Sequence, residues 1–267
     1  MHGINCPAIM GILNITTDSF YDGGKYHSEK LVLERVREML DEGADIIDIG
    51  AYSSRPGASD IDPGEELDRI KTFIPIISKE FPKALLSVDT FRSTVAEAAV
   101  NHGASFVNDI SAGTADTGML DVVARLKVPY ILMHMKGNPS NMQKDIKYED
   151  VVNEVLTYLK ERVGAARNSG IQDIIIDPGF GFGKDLEHNY KLLAGLEKFQ
   201  SVGCPILVGI SRKSMIHNLL NSKPEKALNG TSVLNTLALL NGANILRVHD
   251  VLEAKEVVKI VSYIQKV

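Results

Sequence analysis

The sequence predicts a single (β/α)8 TIM barrel over residues 1–267, with a site at the C-terminal ends of its strands. Three observations predict it. A barrel of this type takes roughly 250 residues as one domain, close to the 267 present. A phrase recurs in which Gly-Ala, one polar residue, an apolar pair and a polar residue follow the end of a helical pattern. It stands at Gly43-Ala44-Asp45-Ile46-Ile47-Asp48, at Gly103-Ala104-Ser105-Phe106-Val107-Asn108 and at Gly242-Ala243-Asn244-Ile245-Leu246-Arg247, with a looser copy from Gly170 to Asp177. Glycine suits the left-handed position after a helix, and the apolar run behind it is too short for anything but a buried parallel strand. Finally, eight such runs alternate with helical patterns, and eight repeats favour a closed barrel over the alternative, a doubly wound open sheet.

In chain order the strand runs are 8–14, 45–50, 84–89, 104–109, 128–134, 173–177, 205–210 and 243–248. Between the first two, Val32, Val36, Met39 and Leu40 fall on one helical face. After the fifth, Val152, Val155, Leu156, Leu159 and Val163 do the same. After the eighth, Ala254, Val257, Val258, Val261 and Ile264 follow. All three sets keep the i, i+3, i+4 spacing of a helix with one buried side. Three connections after strands are long, about 15–27, 51–64 and 136–148, and rich in Gly, Ser, Asp, Asn and Pro. Loops of that length are uncommon and often functional, and these leave the strand ends where barrel enzymes keep their sites.

Composition bounds the function. Apolar residues make up 44% and charged residues 24%, the usual balance of a soluble globular chain. No apolar run approaches the ~18 residues of a membrane helix, and residues 1–10 carry no secretory pattern. These features, with Cys6 and Cys204 in no motif and read as buried structural thiols, predict a cytoplasmic protein. A net charge of −5 argues against a nucleic-acid partner but leaves room for a small anion held by local cations.

Each strand ends on a polar residue. The series runs Asn14, Asp48, Asp89, Asn108 with Asp109, His134, Asp177, then Ser211, Arg212 and Lys213, then Arg247 and His249. A barrel brings such ends around one axis, where buried polar groups demand polar partners. Some have plainer readings. Asp48 reads best as a helix cap, Asp109 points away from Asn108, and His134 reads as a hydrogen-bonded core residue. No His or Cys spacing suits zinc. Gly179 to Lys184 lacks the phosphate-loop pattern and is either a turn or a close backbone approach. The rest form a set. Asp89, Asn108 and Asp177 offer acceptors or amides, Lys213 a flexible donor and Arg247 a planar cation, which together complement a flat heterocycle with an amino-amide edge. Asn14, Arg55, Arg247 and His249 offer donors for a phosphate group.

These residues resemble the dihydropteroate synthase family, and the likeness covers nearly the whole chain. Met10 to Phe20 with Asp22-Gly23-Gly24 resembles the family's first signature, and Asp48 to Gly57 its second. Ser87-Val88-Asp89-Thr90, Val107-Asn108-Asp109, Leu132-Met133-His134, Asp177 to Phe182, Ser211-Arg212-Lys213 and Arg247 to Asp250 follow in the family's order. Two positions depart. Thr17 stands where the family usually has proline, which removes a φ constraint from that loop. Ser54 stands for threonine and keeps the hydroxyl.

The resemblance implies an enzyme that joins a dihydropterin pyrophosphate to para-aminobenzoate with loss of pyrophosphate, through a pterin cation. It implies Asp89, Asn108, Asp177, Lys213, Arg247, Met133 and Phe182 around the pterin. Asn14, Arg55, Arg247 and His249 fall around the pyrophosphate, with Mg2+ as cofactor on Asn14. Phe20, Ser54, Pro56 and Ser214 fall around the aminobenzoate. Lys213, Asp22 and Arg55 take catalytic roles, sulfonamides compete with aminobenzoate, and the assembly is a homodimer. The rival readings are a pterin-dependent methyltransferase domain and a non-catalytic pterin-binding barrel.

Overall fold

The computed structural model describes residues 5–15, 25–52, 61–137, 142 and 146–267. Strands and helices alternate as β1 (Ala8–Asn14), α1 (Lys25–Glu42), β2 (Ile46–Gly50), α2 (Pro63–Glu80), β3 (Leu85–Asp89), α3 (Ser93–Asn101), β4 (Phe106–Asp109), α4 (Met119–Leu126) and β5 (Tyr130–Met133). The second half continues with α5 (Val151–Asn168), β6 (Ile174–Asp177), α6 (Leu186–Ala194), β7 (Leu207–Val208), α7 (Ser214–Leu219), α8 (Leu228–Leu240), β8 (Ile245–Val248) and α9 (Val251–Ile264). All pairings are parallel in the order β6-β5-β4-β3-β2-β1-β8-β7. A parallel bridge between Ile176 and Ile206 closes the ring.

Every expected strand is present. The seventh is shorter than its apolar run, two residues instead of 205–210, with Ile206 giving the closing bridge. The glycines of the recurring phrase, Gly43, Gly103, Gly170 and Gly242, all have φ between 96° and 117°, the region an L side chain disfavours. Three helices start where an aspartate caps them: Asp62 accepts from Gly64 N ahead of Pro63, Asp150 from Val152 N and Asn153 N, and Asp185 from His188 N.

Successive strand residues face opposite sides, so each strand serves two cores. One set points outward and packs under the helices: Ile9, Leu13, Ile47, Ile49, Val88, Val107, Leu132, Ile176, Val208 and Leu246 belong to one large cluster with Val36, Met39, Val155, Leu159 and Val257. The other fills the barrel's floor with Ala8, Met10, Ile46, Phe106, Ile131, Ile175, Leu207 and Ile245. Two residues further along the same inward rows stand Asp48, Asn108, Met133, Asp177, Gly209 and Arg247. The barrel is therefore apolar at its base and polar at its mouth because the period-two rows change chemistry as they climb.

Two expectations fail. Cys6 is exposed and Cys204 half-buried, so neither is a core thiol; each lies beside a proline that starts an extended segment at the barrel's lower rim. Ile264, the last residue of α9, is 57% exposed and shares its exposed side with Ile260 and Tyr263.

Candidate active site at the barrel mouth

The mouth is organised by one guanidinium. Arg247, inward on β8, donates through Nε to Asp48 Oδ2 at 2.6 Å and through Nη2 to Asp89 Oδ2 at 2.7 Å. Asn108 Nδ2 donates to the same Asp48 oxygen at 3.0 Å. Side chains from β2, β3, β4 and β8 are thus joined in one chain of charge-assisted bonds. Asp48 is fully buried while Asp89 and Arg247 keep 15% and 20% of their side-chain surface, so the network runs from the wall towards the opening. Asp48 Oδ1 and Ser87 Oγ are buried and find no hydrogen-bond partner among the described residues, which leaves unspent polar capacity beneath the opening.

Absent side chains bring the remaining groups together. A Cβ placed on Gly50 would lie 3.5 Å from Asn14 Oδ1 and 3.8 Å from Asp89 Oδ2, so these two oxygens share one corner. A Cβ on Gly209 would lie 3.8 Å from Arg247 Cβ and 4.0 Å from Lys213 Nζ, so the two cations flank that glycine. Lys213 also donates to the Phe180 carbonyl and holds its ammonium 4.6 Å from the centre of the Phe182 ring, a cation–π contact. Asp177 accepts from Gly179 N at 2.7 Å, and Met133 pairs with it across β5 and β6. His249 and Ser211 bond side chain to side chain at 3.0 Å on the rim. Ser214 opens α7, exposed, one residue beyond Lys213.

Crowding of charge shifts the titrations. Burial pushes Asp89 up to about 7, against Arg247, which stabilises its charge, with Asp48 adding like-charge repulsion. Burial raises Asp177, opposed by Lys213 and by the Gly179 amide. Burial lowers Lys213 to about 8, with Asp177 working the other way and Arg247 adding to the fall. Burial also works against the charge of Arg247, yet Asp48 and Asp89 outweigh it and hold the guanidinium ionised. Perturbed titrations that meet in a cleft mark a place where charge is used.

The structure brings together Asn14, Asp89, Asn108, Met133, Asp177, Phe182, Lys213 and Arg247 and sets His249 on the rim. Thr17, Phe20, Asp22, Ser54, Arg55 and Pro56 lie outside the described residues. Asp48 is not a helix cap: it sits within β2 on an inward row, where a carboxylate binds Arg247 instead of a helix N-terminus. Asp109 does face away, accepting from Ser111, Gly113 and Tyr130 between sheet and helices. His134 is buried and bonded through Nδ1, held down to about 2 by burial and by neighbouring Lys184. The Gly-rich run is a close approach, though to the protein's own backbone. Gly179 has φ +72° and a Cβ there would stand 1.9 Å from the His134 carbonyl oxygen. The reading of residue types missed Lys184, which is 2% exposed, because nothing local separates a lysine that folds inward from a solvated one.

Comparison with known proteins follows the same outline. Residues 10–249 match the family described as Pterin binding enzyme. The chain is 43% identical over 257 residues to the dihydropteroate synthase of Escherichia coli K12, covering 96% of this chain and 90% of that one. It is 40% identical over 259 residues to that of Haemophilus influenzae, covering 96% and 94%. Among solved structures, the Yersinia pestis dihydropteroate synthase in a sulfonamide drug complex superposes with a TM-score of 0.92 at 39% identity, covering 98% of this chain and 95% of that one. The Xanthomonas albilineans dihydropteroate synthase in complex with 7,8-dihydropteroate superposes with a TM-score of 0.87 at 38% identity, with the same coverage.

Proposed function

The chain belongs to the dihydropteroate synthase family of pterin-binding enzymes, and from that premise we propose how its barrel mouth carries out the reaction. The enzyme condenses 6-hydroxymethyl-7,8-dihydropterin pyrophosphate with para-aminobenzoate to give 7,8-dihydropteroate and pyrophosphate. The bond between the pterin's methylene carbon and the pyrophosphate oxygen breaks, and its electron pair leaves with pyrophosphate. The aniline nitrogen supplies the new C–N pair and loses one proton. In our reading the C–O bond ionises first, so the pterin carries a cation between the two events.

The observation that carries this reading is the joining of Asp48, Asn108, Arg247 and Asp89 into one network with Lys213 alongside. Asp177 accepts from the 2-amino and N3 edge of the ring; a carboxylate accepts at about four positions and Gly179 takes one. Asp89 and Asn108 hold the opposite part, and Lys213 donates to the O4 or N5 region. Phe182 and Met133 supply the apolar wall. Arg247 lies over the ring, pinned in orientation by its two carboxylates, and faces the pyrophosphate with His249, Asn14 and Arg55. Phe20, Ser54, Pro56 and Ser214 take the aminobenzoate, and Asp22 steadies the cation. Preorganised charge of this kind needs no reorganisation as the leaving group departs. Loop cover would keep water from competing with the amine.

Mg2+ fits the donor chemistry. Asn14 Oδ1 is a hard oxygen at the corner where the pyrophosphate is placed, and magnesium takes oxygen ligands while keeping several waters. Asn14 would hold it, and the ion would supply charge neutralisation for the leaving group.

We also propose a cytoplasmic homodimer. Val233, Leu237 and Leu240 form an exposed apolar row on α8, with Leu219 and Leu220 at the end of α7 and Ile260, Tyr263 and Ile264 on α9. Such clustering is what a subunit interface would cover. The test of function is direct. Purified protein should release pyrophosphate only when both the pterin pyrophosphate and para-aminobenzoate are present, with a sulfonamide competing against the latter. Release independent of aminobenzoate, or none at all, contradicts the proposal.

A further inference from the structure

We propose that Lys184 is a positioning residue, holding the Gly179–Gly183 turn so that Phe180 and Phe182 aim the Lys213 ammonium; this rests on the pterin-site reading above. Lys184 is 2% exposed. Its Nζ bonds to the Gly179 carbonyl at 2.8 Å, the Phe182 carbonyl at 3.0 Å and His134 Nδ1 at 2.9 Å. An ammonium has three donors, and all three are used. With Lys184 as an ammonium, His134 accepts at Nδ1 and carries its proton on Nε2.

The bonded carbonyls bracket the turn, and the two groups that bind Lys213 lie inside it. The Phe180 carbonyl accepts from Lys213, and the Phe182 ring faces it. A turn with three positive-φ glycines within five residues needs a fastener. Gly179, Gly181 and Gly183 all have positive φ, and a Cβ on Gly183 would lie 2.6 Å from the Lys136 carbonyl oxygen. Asn189 pins the far side by accepting from Gly181 N at 2.7 Å and donating to the Lys184 carbonyl at 3.2 Å. Lys184 pins the near side through the Gly179 and Phe182 carbonyls. Burial drives the Lys184 titration well down and Lys213 adds to the fall, while Asp177 is the group that favours its charge.

Lys184→Met keeps the length of the side chain and removes the donors. With the full-length protein, calorimetry with the dihydropterin pyrophosphate should show at least tenfold weaker binding, and kcat should fall about as far. The KM for para-aminobenzoate should stay within about twofold, a split that general loosening of the fold would not produce. A second pair of variants guards against failure to fold. His134→Gln keeps an acceptor for Lys184 and His134→Leu does not, while both lose the imidazole edge packed on Tyr158. The leucine variant should bind the pterin about tenfold more weakly than the glutamine variant. Folded Lys184→Met with wild-type pterin affinity, or equal affinity in the two His134 variants, overturns the proposal. Wild-type protein that binds no pterin overturns the functional reading itself, and this inference falls with it.

Discussion

Asp48→Asn tests whether the buried carboxylate, more than the visible ones at the opening, holds the site together. The change is isosteric and removes the charge from the oxygen that binds both Arg247 Nε and Asn108 Nδ2. Breaking a buried ion pair outright costs about 3–5 kcal/mol because a cation is stranded. Here Arg247 keeps Asp89 at 2.7 Å and a fifth of its side chain in water, so the loss is nearer one strong charged hydrogen bond, about 2–3 kcal/mol. At roughly 2–4 °C per kcal/mol for a large domain, that lowers Tm by about 4–12 °C. Asp89→Asn removes a partner of the same guanidinium nearer the solvent, at a carboxyl whose charge burial already disfavours, and less than about 1 kcal/mol is expected. Thermal unfolding by circular dichroism at a fixed scan rate, with pterin calorimetry on the same samples, reads both effects. Asp48→Asn should be the less stable variant and should also weaken pterin binding, since Asn108 and Arg247 lose their common anchor. A smaller stability loss than Asp89→Asn, or unchanged pterin affinity, would show that the network's root is elsewhere.

Other predictions concern charge and facing. The kcat/KM for the pterin substrate reports the free enzyme. It should fall above about pH 8 as Lys213 loses its proton, and below about pH 7 as Asp89 gains one. In the residual activity of Asp89→Asn the acid limb should disappear; its persistence would reassign it. Tyr130→Phe removes a 2.6 Å bond to Asp109 on the helix-facing side of the barrel. It should cost about 1–2 kcal/mol of stability in denaturant titration and leave pterin affinity intact. A matching loss of pterin binding would mean that the outward face is coupled to the site.

Much of this was legible in the residues alone, for identifiable reasons. The strands announced themselves because a closed parallel barrel is buried on both faces, so its strands are short, continuous apolar runs. The Gly-Ala phrase marked helix ends by a backbone requirement. Asp89, Asn108, Asp177, Lys213 and Arg247 stood out because each ends or follows a strand. Asp48 was misjudged by residue type alone, although its position two residues beyond Ile46 puts it on the inward row. Lys184 gave no signal, because its partners are carbonyls supplied by a turn that exists only once folded. Cys6 and Cys204 were misplaced because residue type predicts burial only on average.

The most direct measurement is a crystal structure of the protein with the dihydropterin substrate. The account predicts the bicycle seated on the Asp177 carboxylate, walled by Asp89 and Asn108, with Lys213 donating to its oxygen-bearing edge and the pyrophosphate towards Asn14 and His249. A ring bound elsewhere, or bound here with Asp177 and Lys213 out of hydrogen-bonding reach, would contradict it.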